Sequence, residues 1–438
     1  MTSFTRHGHP LAASLVIASF TAVAHPALAQ DPMTDVAREL AALRAEVREL
    51  RAKVDALTAA AEAPVPQAMD MLQTQVAELA QTKVESTTRF PVKLFGTVHA
   101  GVFANSDNAN WLDTPNIVNA TPANGHGGTM SASVRQTRIG FAADGPTIGS
   151  ARTNAVVAMD FFGGIPGFQT GQVMGLPRLL VAFARIEGAR WAVEVGQDHV
   201  VLAPRDPTSL AALAFPLLFR SGNLYLRAPQ VRVERSVTSR LRAMAGIVAP
   251  IGGDLMGEAY VFVPPALGGE RSRRPGVQAR LAYTTGEASA PRLLDIGLSG
   301  HTGWERRGND LVKSWATAVD FAARRDVIGV AGELFVADNA DAFGGATGLD
   351  APSTGGWSEL QLFPSDRVSF TAGLGLDRVS GGRRFTLARG ENRSAYGNVI
   401  FSLTPEVQAS FEYRWLRTLA GNVERPNHHF DWVLVHKF

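Results

Sequence analysis

The chain has 438 residues, 45% hydrophobic and 19% charged, and no cysteine. It is too apolar to be disordered, and it can hold no disulfide, thiolate metal site, iron–sulfur cluster or cysteine nucleophile. The 42 basic and 40 acidic residues leave a formal net charge of +2, which favours neither a nucleic-acid binder nor a polybasic membrane binder. Only five of the bases are lysines (Lys53, Lys83, Lys93, Lys313 and Lys437), so 37 are arginines.

Residues 1–29 read as a signal peptide. Arg6 and His7 open it, an apolar stretch runs from Leu11 to about Ala24, and Ala27-Leu28-Ala29 supplies the small-residue cleavage pattern. The apolar stretch falls short of the roughly 20 residues a spanning helix needs. The competing reading is an uncleaved anchor. No later segment predicts a transmembrane helix.

Residues 30–89 predict a helical, periplasmic segment. Val36, Leu40, Leu43, Val47, Leu50, Val54 and Leu57 alternate steps of four and three, an unbroken coiled-coil seam. Glu39 with Arg44 and Glu46 with Arg51 supply complementary flanking charges. The competing reading is one amphipathic helix packed on its own domain. Pro64 and Pro66 end the helix, and Met69, Leu72, Val76 and Leu79 resume the spacing. Valine and leucine at alternate seam positions lean toward a dimer.

From about residue 90 the period becomes two. Val157, Met159 and Phe161 alternate with Asn154 and Asp160. Phe411, Tyr413 and Trp415 alternate with Glu412 and Arg414, and Phe430, Trp432 and Leu434 with Asp431. Each run is about 9–12 residues with one apolar and one polar face, as a membrane-crossing strand requires. About sixteen such runs fit in residues 90–438. The odd connections come out long, about 26, 13, 22, 26, 7, 18, 16 and 9 residues, and the even ones short, about 8, 2, 3, 7, 2, 3 and 2. That asymmetry predicts an all-β chain: a transmembrane antiparallel β-barrel of about 16 strands in the cell outer membrane, surrounded by its lipid. An even count puts both barrel ends on the short-turn, periplasmic rim. The alternation ending at Phe438, with His436 as a departure, resembles the signature that such barrels present to the outer-membrane assembly machinery.

Several stretches together resemble the DcaP-like porins of Gram-negative outer membranes. They are Val92-Lys93-Leu94-Phe95-Gly96 after the heptad helix, Val134 to Phe141, Met159 to Gly163, and Val195-Gly196-Gln197-Asp198 before the third long loop. Trp357 to Pro364, Tyr396-Gly397-Asn398 and Phe411-Glu412-Tyr413 resemble the late strands. The resemblance covers most of residues 36–438, through short motifs. It implies a homotrimer of sixteen-stranded barrels, with the coiled coil in the periplasm and a preference for small anionic solutes. The trimer takes precedence over the dimer lean of the seam, because large barrel faces outweigh a short one.

A barrel of this size has an aqueous lumen, and selection needs a constriction. The candidate is the third long loop, Val200 to Ser221, which carries Arg205, Asp206 and Arg220 and an apolar run, Ala211 to Phe219, too greasy for water. It folds into the barrel, or packs as a surface loop or against a neighbouring subunit. Strand parity turns Gln136, Arg138, Arg152, Asn154, Asp160, Arg178, Arg227, Arg232, Arg280 and Arg414 toward the lumen. The break at Pro229 is what places Arg227 inward. Guanidinium rings dock carboxylates in bidentate fashion, so an anion-preferring pore is the sharper expectation. The plainer one is an arginine–acid ladder, because Glu194, Glu234, Asp295, Asp320, Glu333 and Glu412 also read inward. Residues after 91 hold 34 bases and 30 acids. Arg135 falls on the outward parity and predicts a rim or interface position.

Catalytic motifs are weak, and the chain predicts no enzyme, cofactor or metal. Gly297-Leu298-Ser299-Gly300-His301 is not G-x-S-x-G. His428 and His429 are adjacent and point to opposite faces. Asp338, Asn339 and Asp341 are residue types that could hold calcium, but they lack the EF-hand pattern, and a solvated loop is the stronger reading. No plug precedes the barrel, so passive diffusion of small solutes is expected rather than energy-coupled uptake. The alternative is a structural anchor whose coiled coil spans toward the cell wall.

Overall fold

The computed structural model describes residues 91–123, 125–164, 175–251, 266–286 and 292–438, together with Arg44, Ala45, Arg48, Arg51 and Ala52. The chain divides into two units, Met1–Ser86 and Thr87–Phe438. In the first, the five described residues are helical and exposed, and Arg48 Nε donates to the Arg44 carbonyl one turn back at 3.2 Å. The leader at 1–29 and the seam of Val36, Leu40, Leu43, Val47, Leu50, Val54 and Leu57 lie outside the described residues.

The second unit is one closed antiparallel sheet. Its strands are β1 (Val92–Asn105), β2 (Thr129–Ser133), β3 (Arg138–Asp144), β4 (Arg152–Asp160), β5 (Arg178–Glu187) and β6 (Trp191–His199). Then come β7 (Arg227–Ser236), β8 (Leu241–Val248), β9 (Gly276–Thr285), β10 (Arg292–Arg307), β11 (Asp310–Arg325) and β12 (Ile328–Asp338). The last are β13 (Ser353–Ser365), β14 (Val368–Val379), β15 (Glu391–Ser402), β16 (Val407–Ala420) and β17 (Val423–Lys437). Both β2 and β3 pair with β1, so the seventeen segments fill sixteen positions. The last strand returns to the first: Thr97 faces Lys437 and Val102 faces Trp432. Gly96 and Phe438 exchange both backbone hydrogen bonds, at 2.9 and 3.1 Å. Among the described residues no sheet edge remains to recruit another chain.

The alternation sorts side chains the opposite way from a water-soluble core. On β17, Phe430 and Trp432 are exposed while His429, Asp431 and Val433 are buried. Leu94, Phe141, Val195, Val233, Leu298, Leu334 and Leu374 likewise face outward. Inside, Asp160, Asp320 and Glu333 are 0% exposed. An exterior so continuously apolar far exceeds the patches that water-soluble proteins tolerate. No helix among the described residues is long and apolar enough to cross a membrane.

Three local expectations are corrected. The fifth and eighth connections are not loops. β10 and β11 run on to a turn at Gly308-Asn309, and β16 and β17 to Gly421-Asn422, with each glycine in the left-handed region at φ 58° and 60°. The second strand is broken at 134–137, so parity does not carry across Arg135, which turns inward. β7 starts at Arg227, not near 222, and its alternation runs through Pro229 without a break, so Arg227 falls on the parity of Val231 and Val233 rather than the inward one, and its guanidinium reaches the inner side only by lying over the buried Tyr225 ring. Leu224, expected on the outer face, instead joins the end of the third loop, buried in a cluster with Val200, Phe335 and Phe343.

Candidate functional site

The third loop, 200–226, is fastened to the inner wall almost all the way round. His99 on β1 donates from Nε2 to the Leu210 carbonyl at 3.1 Å. Gln136, in the break between β2 and β3, holds three loop groups: it donates to the Ala211 carbonyl at 2.7 Å and accepts from the Leu213 and Ala214 amides at 2.7 and 2.9 Å. Across the barrel, Gln278 on β9 accepts from the Val201 and Leu202 amides, and Ser299 on β10 accepts from that of Ala203. Glu333 on β12 accepts from the Leu224 amide at 3.3 Å. Glu359 on β13 takes both the amide and the hydroxyl of Thr208 at 2.8 Å, and Glu412 on β16 takes the Ser209 hydroxyl at 2.7 Å. Ordering a loop costs about 1–2 kcal/mol per residue. A hydrogen bond returns about 1 kcal/mol net, so the bonds need apolar burial beside them.

The apolar run provides it. Leu217 and Leu218 pack on Trp357 and Tyr396, and Leu210 and Ala211 on Val433 and Val435. Phe215 stacks with Trp111 at 4.7 Å and Phe219 at 5.2 Å, and the Arg178 guanidinium lies 4.7 Å over its ring. Trp357, Val433 and Val435 break the polar-inside rule only where the loop covers them.

The arginines predicted from parity divide into groups. Arg178 clamps Asp160, at 3.1 and 2.6 Å, and reaches the Ala214 carbonyl. Arg205, from the loop, and Arg280, from β9, share Asp320 and Asp295: Arg205 at 2.7 and 2.5 Å, Arg280 at 2.7 and 3.4 Å. Arg232 binds Glu194 at 2.9 Å and Asp198 at 3.3 Å. Arg414 is buried with no carboxylate contact among the described residues, donating to the Pro115 carbonyl at 2.6 Å and to Ser394. Arg220 donates to Asn116 Oδ1 at 3.2 Å from the loop's last turn. Arg152 stands at the short-turn rim, 80% exposed and 4.0 Å from Glu187. Arg138 and Arg227 are half-buried, and the Nε of each lacks a hydrogen-bond acceptor. Much of the inner surface is thus the arginine–acid ladder.

Some partners lay beyond sequence reasoning. Arg185 bridges Glu194 and Glu234, at 3.2 and 2.7 Å, and Arg135 binds Asp113 of the first long loop, at 2.7 and 2.5 Å, beneath the Phe162 ring. Parity alone turns Arg185 outward, seven residues from the inward Arg178; the bulge at Leu180, between the Ala158–Val181 and Met159–Leu179 pairs, resets the alternation and brings Arg185 inside. Nothing local marks Asp113. Ser299 and His301 make no catalytic pair among the described residues, because Ser299 holds the loop and His301 meets Gln278 and Phe343.

The interior is open on the side away from this packing. A cavity of about 650 Å³ at the short-turn rim is lined by Arg240, Arg242, Arg280, Thr284 and Asp295, beside one of about 150 Å³ lined by Arg185, Glu234 and Arg242. A further concavity of about 740 Å³, with Val102, Met130, Leu360, Phe370 and Trp432, lies on the apolar exterior and has no part in the lumen.

No family model and no curated protein matches the chain. Solved structures do. The outer membrane channel DcaP of Acinetobacter baumannii superposes with a TM-score of 0.61 at 14% identity, covering 80% of this chain and 97% of that one. OmpT, an outer membrane protein of Vibrio cholerae, gives 0.51 at 9% identity over 81% of this chain and 99% of its own. At such identities the likeness is one of fold, and the fold this chain shares is the barrel of the outer membrane channel DcaP.

Proposed function

We propose that this chain is an outer-membrane porin through which small hydrophilic solutes diffuse passively, and that the third loop narrows its pore. An apolar exterior around a polar, loop-crossed interior supports that reading, since only lipid makes such an exterior favourable. In the same reading the chain assembles as a trimer, its leader is removed, its seam forms a periplasmic coiled coil, and Phe438 addresses the assembly machinery.

A preference for small anions such as dicarboxylates belongs to the proposal. The observation that carries it is an excess of guanidinium beside the loop. Arg138 faces Asp160 across the β3–β4 pair, but that carboxylate is already taken on both oxygens by Arg178. Arg227, at the loop's end, lies 5.8 Å from the Tyr225 ring with no carboxylate contact among the described residues. Two uncompensated guanidinium groups in a low-dielectric throat attract an anion.

Planar-bilayer recording tests this. Unit conductance steps are expected, with a reversal potential in a KCl gradient displaced toward chloride. Arg138→Ala reduces that displacement, whereas the rim variant Arg152→Ala leaves it. A cation-selective channel refutes the anion preference. A silent barrel leaves the structural anchor as the function. Liposome swelling with dicarboxylates, sugars and amino acids then ranks the solutes.

A further inference from the structure

At the long-loop rim, three acids from two elements converge. Glu305 stands near the end of β10, and Asp341 and Asp350 belong to the sixth long loop, 339–352. One carboxylate oxygen from each lies within 4.8 Å of the others. Glu305 and Asp341 are buried, at 4% and 3% exposure. The loop read from sequence as solvated has in fact drawn Asp341 out of water.

Among the described residues, Arg307 is the cation that pairs with the group. Arg307 pairs with Glu305 and, at 2.5 Å, with Asp350, and it donates to Asn339 Oδ1 at 3.1 Å. Asp341 receives nothing from it. Its Oδ1 is enclosed and accepts no hydrogen bond, although the side chain is 97% buried and turned into the cluster. Among the described residues, Arg307 is matched against three carboxylates, and Asp341 is the one it does not reach. A buried carboxylate without a partner costs several kcal/mol. Carboxylate oxygens only accept, so two of them in contact need a proton or a cation between them.

The donor set chooses among cations. All-oxygen ligands, without histidine or cysteine, select a hard ion. Magnesium demands a near-ideal octahedron at 2.0–2.1 Å and sheds its water reluctantly, whereas calcium accepts an irregular shell of six to eight oxygens at 2.3–2.6 Å. Three carboxylates from a strand end and a loop suit the more adaptable ion, with water completing its shell.

We propose that Glu305, Asp341 and Asp350 bind a calcium ion that fastens the sixth long loop to the end of β10. That loop carries Phe343, whose carbonyl accepts the Tyr225 amide at 2.9 Å and whose ring packs in the cluster that holds Leu224. The ion therefore braces the exit of the third loop as well. The site stands whether or not the barrel conducts.

The test is thermal unfolding of the full-length barrel in detergent, stripped with chelator and followed by circular dichroism. Calcium at constant ionic strength should raise the midpoint saturably, half-maximal at about 0.1–1 mM as in other extracellular sites, and magnesium should raise it less. Asp341→Asn and Asp350→Asn should each lose the calcium increment, whereas Asp366→Asn, on the opposite rim, should keep it. Should Asp341→Asn not fold, Asp350→Asn, whose parent side chain is 38% exposed, decides. Calorimetric titration of calcium into the wild type should give matching heats. No calcium-dependent shift, a shift that sodium chloride reproduces, or a full increment in the loop variants would overturn the site and leave a shared proton in its place.

Discussion

At the scale of single residues, Arg280, Arg205, Asp295 and Asp320 form a tight network of charge on the inner wall. Asp320 is 0% and Arg280 8% exposed, so each pays for desolvation and is repaid only by its partners. Removing one member leaves the others short. Arg280→Ala is expected to cost about 3–5 kcal/mol, the usual penalty for breaking a buried pair, read as an earlier urea midpoint in liposomes. It should also shift the reversal potential toward cations, because Asp295 loses one of its two guanidinium partners. An unchanged midpoint would mean that Arg205 alone satisfies both acids.

At the scale of elements, the third loop behaves as part of the wall. Its closest approach is at Gly222, where φ is 107° and a Cβ would stand 2.0 Å from the Gly356 carbonyl oxygen of β13. Gly222→Val therefore cannot keep the loop seated. The expected result is a larger and noisier single-channel conductance with the barrel still folded, and conductance equal to wild type would count against the loop as the constriction. The same close packing explains why Trp357 and Val433 face inward on strands that are otherwise polar there. They are apolar because the loop, not water, is their neighbour.

At the scale of the whole molecule, stability comes from an exterior matched to lipid and from closure between β1 and β17. Phe430, 56% exposed near the middle of β17, tests the exterior. Phe430→Arg should lower stability in bilayers by about 2–4 kcal/mol, the mid-depth cost of arginine on a lipid face, while Phe430→Leu should cost far less. Equal effects would argue that this face is covered by protein rather than lipid.

Strand positions and their lipid and lumen faces were legible along the chain, because a two-residue alternation is a local property of an extended backbone. The reading of 177–187 against Arg178–Glu187, or 190–199 against Trp191–His199, differs by a residue at one end. Parity also found Arg178, Arg232 and Arg280 on the inner wall. It failed at Arg135 and Leu224, where the backbone leaves the ladder, at Arg185, which the bulge at Leu180 turns inward, and at Arg227, where the expected break at Pro229 is absent. Closure alone decided the partners. Ser209 meets Glu412 and Arg205 meets Asp320, 203 and 115 positions away, and Asp341 comes to rest beside Glu305. Such pairs have no sequence period, because they exist only once the cylinder has brought opposite walls within reach of one loop.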